Sequence, residues 1–258
     1  MSSNTGLKLT KPGVALITGA SSGVGRASAV GLSNAGWTCV VAARRQEELN
    51  ETLSLMGEKR NKESIAIAAD LSKREEVQRV FAVIKQKFGR LDLLFNNAGK
   101  SGPRVALEDL TTETFESIMT INVFTPFWCT QEAFRLMKSQ SPRGGRIINN
   151  GSISAHTPRP MSTPYTTSKH AVLGMTKATA LDGREFGIAV SQLDIGNAEA
   201  FEGKFKNMPQ ADGSLRDEPA MHVDYTAHAI VYMAGLPLEI NNLNHTLMAT
   251  AMPFVGRG

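Results

Sequence analysis

Tyr165 and Lys169 lie four residues apart in the segment STPYTTSKHAV, residues 162–172. On a helix that spacing stacks both side chains on one face, one turn apart. An ammonium beside a phenol favours the phenolate, and a phenol poised between its two forms can give or take a proton near neutral pH. A second chemical signal lies near the start of the chain. TGASSGVG, residues 18–25, follows a short apolar run and opens a helical stretch, where a dinucleotide-binding fold sets its phosphate loop. There Gly19 permits the tight turn, Gly23 lets backbone approach a pyrophosphate, and Gly25 allows close packing. Ser21, Ser22 and Val24 complete the loop, whose backbone N–H groups at a helix N-terminus would face the anion.

The stretch AARRQEEL follows the second apolar run. An NAD-binding protein of this kind usually carries an acid there for the adenosine ribose, but Arg44 stands in that place with Arg45 behind it. A guanidinium suits a 2′-phosphate, so the expected cofactor is NADP(H). The plain alternative is two solvent-facing arginines after a strand.

These residues need a frame. VALITG, TCVVAA, SIAIAAD, LDLLFNNAG, GRIINNGS and IAVSQLDIG read as six strands, and a seventh is expected near residues 246–249. Between them, Leu49, Leu53 and Met56 share one helical face. Val77, Phe81, Ile84 and Phe88 share another, in a helix that Ser72 and Glu75 would open as a capping box and Gly89 would close. A long helical region is expected over about residues 112–137, the Tyr–Lys helix to near Gly187, and a last helix over 224–235. Strands alternating with helices predict an α/β fold, a doubly wound Rossmann-type parallel sheet of seven strands with helices on both faces. No linker or repeat divides residues 1–258, so one domain is expected. It would have a polar tail over 1–12, a substrate lid over 197–218 with Phe201, Phe205 and Met208 as its apolar part, and a C-terminal tail over 251–258.

Hydrophobic residues make up 41% of the 258 and charged residues 20%, which suits a soluble globular protein. The formal charge is +4, yet the basic residues are interleaved with acids, which argues against a nucleic-acid partner. No apolar run approaches the roughly 20 residues of a membrane span, and the polar N-terminus does not read as a secretory signal. Cys39 and Cys129 sit in apolar segments without metal or disulfide spacing, so a reducing, cytoplasmic location is expected. None of the five histidines has metal-ligand spacing, and no metal is expected.

TGASSGVG, NNAG at residues 96–99 and YTTSK at 165–169 together make the chain resemble the short-chain dehydrogenase/reductase family in its compact single-domain form, over about residues 12–250. The resemblance implies that Tyr165 is the general acid/base and Lys169 its partner, also bonded to the nicotinamide ribose. Ser152 lies thirteen residues before Tyr165, the spacing of the family's catalytic serine, where a hydroxyl can stabilise charge developing on the substrate oxygen. Asn122, in TINVF, matches the asparagine that holds a water in a proton relay to the lysine. Asp70 and Leu71 resemble the adenine-contacting pair, and Asn97, Ala98 and Gly99 look like strand-end residues lining the cofactor cleft.

Two departures stand out. The family commonly shows Pro-Gly after the sixth strand and a threonine four residues past the glycine. This chain has Ile195 and Gly196, then Asn197, with Ala200 at the threonine position, so Asn197 is expected to replace a lost contact near the nicotinamide. The last strand also runs into AMPFVGRG without the usual Asp-Gly-Gly, and a subunit contact is one reading of that tail. Lys100 and Arg159 are either contacts for an anionic substrate group or solvated loop charges. The resemblance implies an NADPH-dependent carbonyl reductase or alcohol dehydrogenase acting on a small molecule. A nucleotide-sugar epimerase or dehydratase usually needs a larger C-terminal domain, and a non-catalytic NADP-binding sensor would be free to lose Tyr165 or Lys169. A homodimer or homotetramer is expected, because Phe124, Phe127, Trp128 and Phe134 make their helix apolar on more than one side.

Overall fold

A computed structural model of the chain describes residues 10–57, 62–200, 203 and 205–255. The N-terminal residues 1–9, Phe201 of the expected lid and the last residues, 256–258, lie outside the described residues.

The apolar runs become the parallel strands β1 (Val14–Thr18), β2 (Thr38–Ala43), β3 (Ile65–Ala68), β4 (Leu93–Asn96), β5 (Gly145–Asn150), β6 (Ile188–Ile195) and β7 (Asn244–Leu247). They form one sheet in the order β7-β6-β5-β4-β1-β2-β3. Alternate residues enter two cores. Ala15, Ile17, Cys39, Val41 and Phe95 pack on one face, while Val14, Leu16, Val40, Ala42 and Leu94 pack on the other. A strand buried on both faces has no polar side to show, which is why these segments read as continuous apolar runs.

Helices α1 (Gly23–Asn34), α2 (Gln46–Leu55) and α7 (Val223–Gly235) supply the first core through Leu32, Leu49, Ile230 and Met233. Helices α3 (Arg74–Phe88) and α5 (Thr125–Ser139) supply the second through Val77, Phe81, Ile84, Cys129 and Met137. Burial pushes both the Cys39 and Cys129 thiols up to about 12. Helices α4 (Thr112–Met119) and α5 are joined by a π-helical turn, Thr120–Phe124, and α6 (Thr163–Gly183) carries Pro164 in its first turn.

The order of strands reverses between β1 and β4, so the loops at the C-terminal ends of those two strands diverge and leave a crevice. The described residues between 197 and 222 cross above it with little regular structure. Ala198–Glu199 pairs with Met221–His222, and Met208–Pro209 pairs with Leu215–Arg216.

Two expectations need correction. The box of Ser72 and Glu75 does not form: Asp70 Oδ1 takes both the Ser72 hydroxyl (2.7 Å) and its N–H (3.2 Å), and α3 starts at Arg74 after Lys73. A carboxylate two residues upstream is the stronger acceptor, so an Asp-closed turn wins over the cap. The last strand ends at Leu247, before its expected position. The described part of the C-terminal tail folds onto its own chain: Met252 is buried against Gly196, and the Phe254 ring meets His156 edge-on at 6.5 Å. By contrast Gly89 closes α3 in the left-handed conformation as its sequence position implies.

Candidate active site

The loop between β1 and α1 is shaped by what glycine lacks. Gly19 and Gly23 both have positive φ, +65° and +52°. A Cβ on Gly25 would fall 2.3 Å from the Gly19 carbonyl oxygen and 2.5 Å from Asn97 Nδ2, whereas one on Gly23 would meet nothing within 4 Å. The loop is thus tight against the protein at Gly25 and open outward at Gly23. Ser22 and Gly23 are exposed, and Ser22 makes no side-chain cap, so the first N–H groups of α1 face outward. That arrangement fits a pyrophosphate. Behind the loop, Arg26 donates to the Ser21 carbonyl at 2.7 Å and to Glu51 at 2.7 Å, which stiffens the turn.

Asn97 holds this loop to the rest of the site. Its Nδ2 donates to the carbonyls of Thr18 (2.9 Å) and Gly19 (3.2 Å), while its Oδ1 accepts from Asn150 Nδ2 at 2.9 Å. Thr18 Oγ1 adds a staple by accepting from the N–H groups of Asn97 and Ala98. The Asn150 carbonyl, at the end of β5, accepts from Lys169 Nζ at 2.6 Å. Lys169 is buried, and its Nζ lies 5.5 Å from the centre of the Tyr165 ring. The ammonium is therefore fixed beside the phenol, as the four-residue spacing implies.

Ser152 follows β5 and is buried, with its Oγ accepting from the Ser154 N–H at 3.1 Å. Its own N–H donates to Asp194 Oδ1 at 3.0 Å. Asp194, fully buried in β6, also accepts from Gln192 Nε2 on Oδ1 (2.7 Å), and its Oδ2 lies 2.7 Å from His156 Nε2. A buried carboxylate needs such partners. Gln192 in turn takes the Thr176 hydroxyl, which accepts from Asn149, which accepts from Asn96. A line of side-chain bonds thus runs through the ends of β4, β5 and β6 beneath the serine.

Asn122 occupies the π-helical turn, a local widening that re-aims a side chain. Its amide accepts from the Lys100 N–H (2.9 Å) and donates to the Lys100 carbonyl and Ser168 Oγ, both at 3.0 Å. It pins the loop after β4 to α6. The Lys100 ammonium turns to Ser117 Oγ on α4, at 2.6 Å.

Tyr165, Ser152 and Lys169 line one cavity of about 590 Å³ together with Gly19, Ser22, Val24, Gly25, Asn97, Ala98, Gly99 and Gly196. Asn122 lies behind its wall. Arg44, Arg45, Asp70 and Leu71 lie beyond the cavity, past the β2 and β3 ends. Arg44 is exposed, whereas Arg45 pairs with Glu48 at 3.0 Å and reaches Ser21 Oγ at 3.4 Å. The Ser72 hydrogen bonds, aided by Lys73 and Arg44, hold the Asp70 carboxyl below its usual range. The Leu71 side chain is core, so only its main chain can face a ligand.

Asn197 lines the same cavity, and its side-chain atoms are already engaged. Its Nδ2 donates to Glu218 Oε2 (2.9 Å) and the Pro219 carbonyl (3.1 Å), and its Oδ1 accepts from Arg159 at 2.9 Å. Arg159 is itself ion-paired to the buried Glu218. Asn197 thus anchors the lid, and Arg159 is no solvated charge. Asp194, Gln192, Glu218 and His156 were not singled out from the sequence. The available signal was an acid and an amide inside the otherwise apolar run of β6.

Comparison with known proteins agrees with this geometry. The family model described as short chain dehydrogenase matches residues 13–206. A 3beta-hydroxysteroid dehydrogenase of Mediterraneibacter gnavus is 34% identical over 180 residues, covering 70% of this chain but only 64% of that protein, just under two thirds. The NADPH-dependent aldehyde reductase 1, chloroplastic, of Arabidopsis thaliana is 34% identical over 247 residues, 88% of this chain and 84% of that one. Among solved structures, an alcohol dehydrogenase of Thermococcus sibiricus complexed with 5-hydroxy-NADP shares the fold at a TM-score of 0.81 and 23% identity, covering 94% of this chain and 99% of that one. A 3-ketoacyl-(acyl-carrier-protein) reductase of Brucella melitensis complexed with NADH gives 0.79 at 27% identity, covering 92% and 97%.

Replacing Asp194 with alanine strips the acceptor from Ser152 N–H, the Gln192 amide and His156 at once. Buried donors left unpaired cost about 1–3 kcal/mol each, so Asp194→Ala is expected to lower unfolding stability by about 2–4 kcal/mol in denaturant titration. A loss under about 0.5 kcal/mol, the usual range for an unimportant surface change, would mean that these donors find other acceptors.

Proposed function

The chain belongs to the short-chain dehydrogenase family, and from that premise we propose that it is an NADP(H)-dependent oxidoreductase interconverting a carbonyl and the corresponding alcohol of a small organic substrate. The observation that supports this most directly is the Lys169 ammonium, bonded to the Asn150 carbonyl and set beside Tyr165 on the wall of the cavity that the glycine loop enters.

The glycine loop, Gly19 to Gly25, holds the pyrophosphate through the N–H groups at the start of α1, Asp70 and the Leu71 main chain meet the adenine, and Asn97, Ala98, Gly99, Gly196 and Asn197 line the nicotinamide end. Bound there, the nicotinamide supplies or accepts the hydride. In reduction Tyr165 gives its proton to the substrate oxygen, and the neighbouring ammonium stabilises the phenolate left behind. Ser152, whose oxygen already accepts from Ser154, donates its own hydrogen to that same oxygen and stabilises charge as it builds. Lys169 also holds the ribose, and Asn122 holds the water that returns a proton to the lysine. All four groups are present, which argues against a binding-only sensor.

Arg44 is exposed and, unlike Arg45, has no ion pair among the described residues, so it is the freer partner for a 2′-phosphate. The named relatives use either nicotinamide, NADPH in the plant reductase and NADH in the Brucella structure, and the absence of an acid after β2 favours the phosphorylated one here. The two buried thiols suit a reducing compartment. A second copy of the chain covers the exposed Phe124 and Phe127, where Phe124 stacks on Trp128 and Leu181 of α6 stands beside the same groove.

Tyr165→Phe is expected to lower kcat for NADPH-dependent carbonyl reduction by at least about a hundredfold, the usual scale of acid–base catalysis, with NADPH affinity nearly intact. Turnover close to wild type would refute the acid/base role. Arg44→Asp is expected to cut the NADPH-over-NADH ratio of kcat/KM about ten- to a hundredfold, since a charge-assisted hydrogen bond contributes about 1.5–3 kcal/mol. An unchanged ratio would move the phosphate to Arg45. Light scattering at micromolar concentration is expected to give a dimer or tetramer mass, and a monomer mass would rule out the paired α5–α6 face.

A further inference from the structure

Among the described residues, the charged side chains lining the active-site cavity are Lys100, Arg104, Arg159 and Lys169, and no carboxylate lines it. Three of these cations are committed. Lys169 is held by the Asn150 carbonyl beside Tyr165, Arg159 is neutralised by the buried Glu218, and the Lys100 ammonium turns out of the cavity to Ser117. Arg104 differs. It lies on the loop after β4 and reaches to the lid, where its Nη2 lies 2.8 Å from Met208 Sδ. A thioether is a weak acceptor and brings no charge, and among the described residues Arg104 has no acidic partner. The surrounding wall is largely apolar, with Pro103, Met161, Phe205, Met208 and Pro209.

A planar guanidinium on an apolar wall, with no acid to satisfy it, is complementary to a carboxylate, which it can bind through two parallel hydrogen bonds. With no acid among the described lining residues, the charge they present favours an anionic substrate and disfavours a cationic one. We propose that Arg104 is the specificity-determining residue for a substrate with an apolar body and a carboxylate in addition to its carbonyl or alcohol. The proposal rests on the oxidoreductase reading of this cavity and adds the class of molecule that enters it. It also reassigns the anion contact: neither Lys100 nor Arg159, the loop cations that the sequence offers for this role, is free to make it.

The test compares oxo-acids with their uncharged methyl esters. Levulinate, para-acetylbenzoate and the two esters are assayed as substrates of the full chain with NADPH, in wild type, Arg104→Gln and Arg104→Lys. Wild type is expected to favour acid over ester in kcat/KM by about tenfold or more, the scale of one charge-assisted hydrogen bond, and less so as salt is raised. That ratio collapses toward unity in Arg104→Gln and is partly retained in Arg104→Lys, which keeps the charge but not the fork. A wild type that uses the esters as well as the acids, or a ratio unmoved by Arg104→Gln, overturns the proposal. Should none of the compounds turn over, calorimetric titration of the NADP complex decides. Tighter binding of para-acetylbenzoate than of its ester, lost in Arg104→Gln, supports the anion site while counting against the oxidoreductase reading. Equal binding overturns the anion site.

Discussion

The side chain of Asn97 is the point from which the site hangs. β1 and β4 pair within the sheet, but the chain leaves them in opposite directions, so the loops above their ends form the two walls of a crevice. Asn97 ties them: its amide nitrogen holds the Thr18 and Gly19 carbonyls, and its oxygen holds Asn150, whose carbonyl holds Lys169. The phosphate loop and the buried lysine are thus three hydrogen bonds apart, through Asn97 and Asn150. The demand for glycine at 25 follows, because a Cβ there would collide with both the Gly19 carbonyl and the Asn97 amide. Gly19 answers to the same crowding, since its own Cβ would lie 2.8 Å from Ala98 Cα.

A second constraint acts from below. Ser152 has to present its hydroxyl at the cavity while its backbone leaves a strand buried on both faces. Asp194 receives the departing N–H, and the amides and hydroxyls of Gln192, Thr176, Asn149 and Asn96 complete the line. Apolar packing would be more forgiving there, since it has no directional requirement. Polar groups in low dielectric are held tightly when satisfied and are costly when not, so the line fixes the strand ends from which Ser152 and Asn150 project. Gly151, between them, has Asp194 Oδ1 2.1 Å from where its Cβ would stand, leaving no room for any side chain.

Much of this was legible in the sequence. Two-sided burial makes a parallel strand an unbroken apolar run, so β1, β2 and β4 announce themselves. Tyr165 and Lys169 meet because helix geometry alone brings them together. What depends on partners distant in sequence was not legible. Arg159 reads as a loop charge until the fold brings in Glu218, 59 residues on. That the Asn197 amide is shared by Arg159, Glu218 and Pro219 is likewise visible only in the fold. The cap expected at Ser72 failed for a local reason, since Asp70 takes the Ser72 N–H that the Glu75 carboxylate would have accepted from. Asp194 and Gln192 offered a signal that could have been used: an acid within eight consecutive buried residues must have a partner.

The lid is attached by a different kind of force from the rest of the fold. Its regular structure amounts to two-residue pairings, and its main anchor is Glu218, which meets Arg159, Asn197 and Gln210 together. A buried ion pair gains little net stability, because the charges must first be stripped of water. What it supplies is direction: Glu218 fits in one place, and that place is set by Asn197, immediately after Gly196 at the end of β6. Gly196 is wedged in turn by Met248 and Met252, whose atoms lie 2.6 Å and 2.8 Å from where a Cβ would stand. The C-terminal segment therefore supports the strand end, the strand end sets Asn197, and Asn197 sets the lid. The height of Phe205 and Met208 over the cavity follows from that chain of contacts together with the burial of Met208 and Ala198.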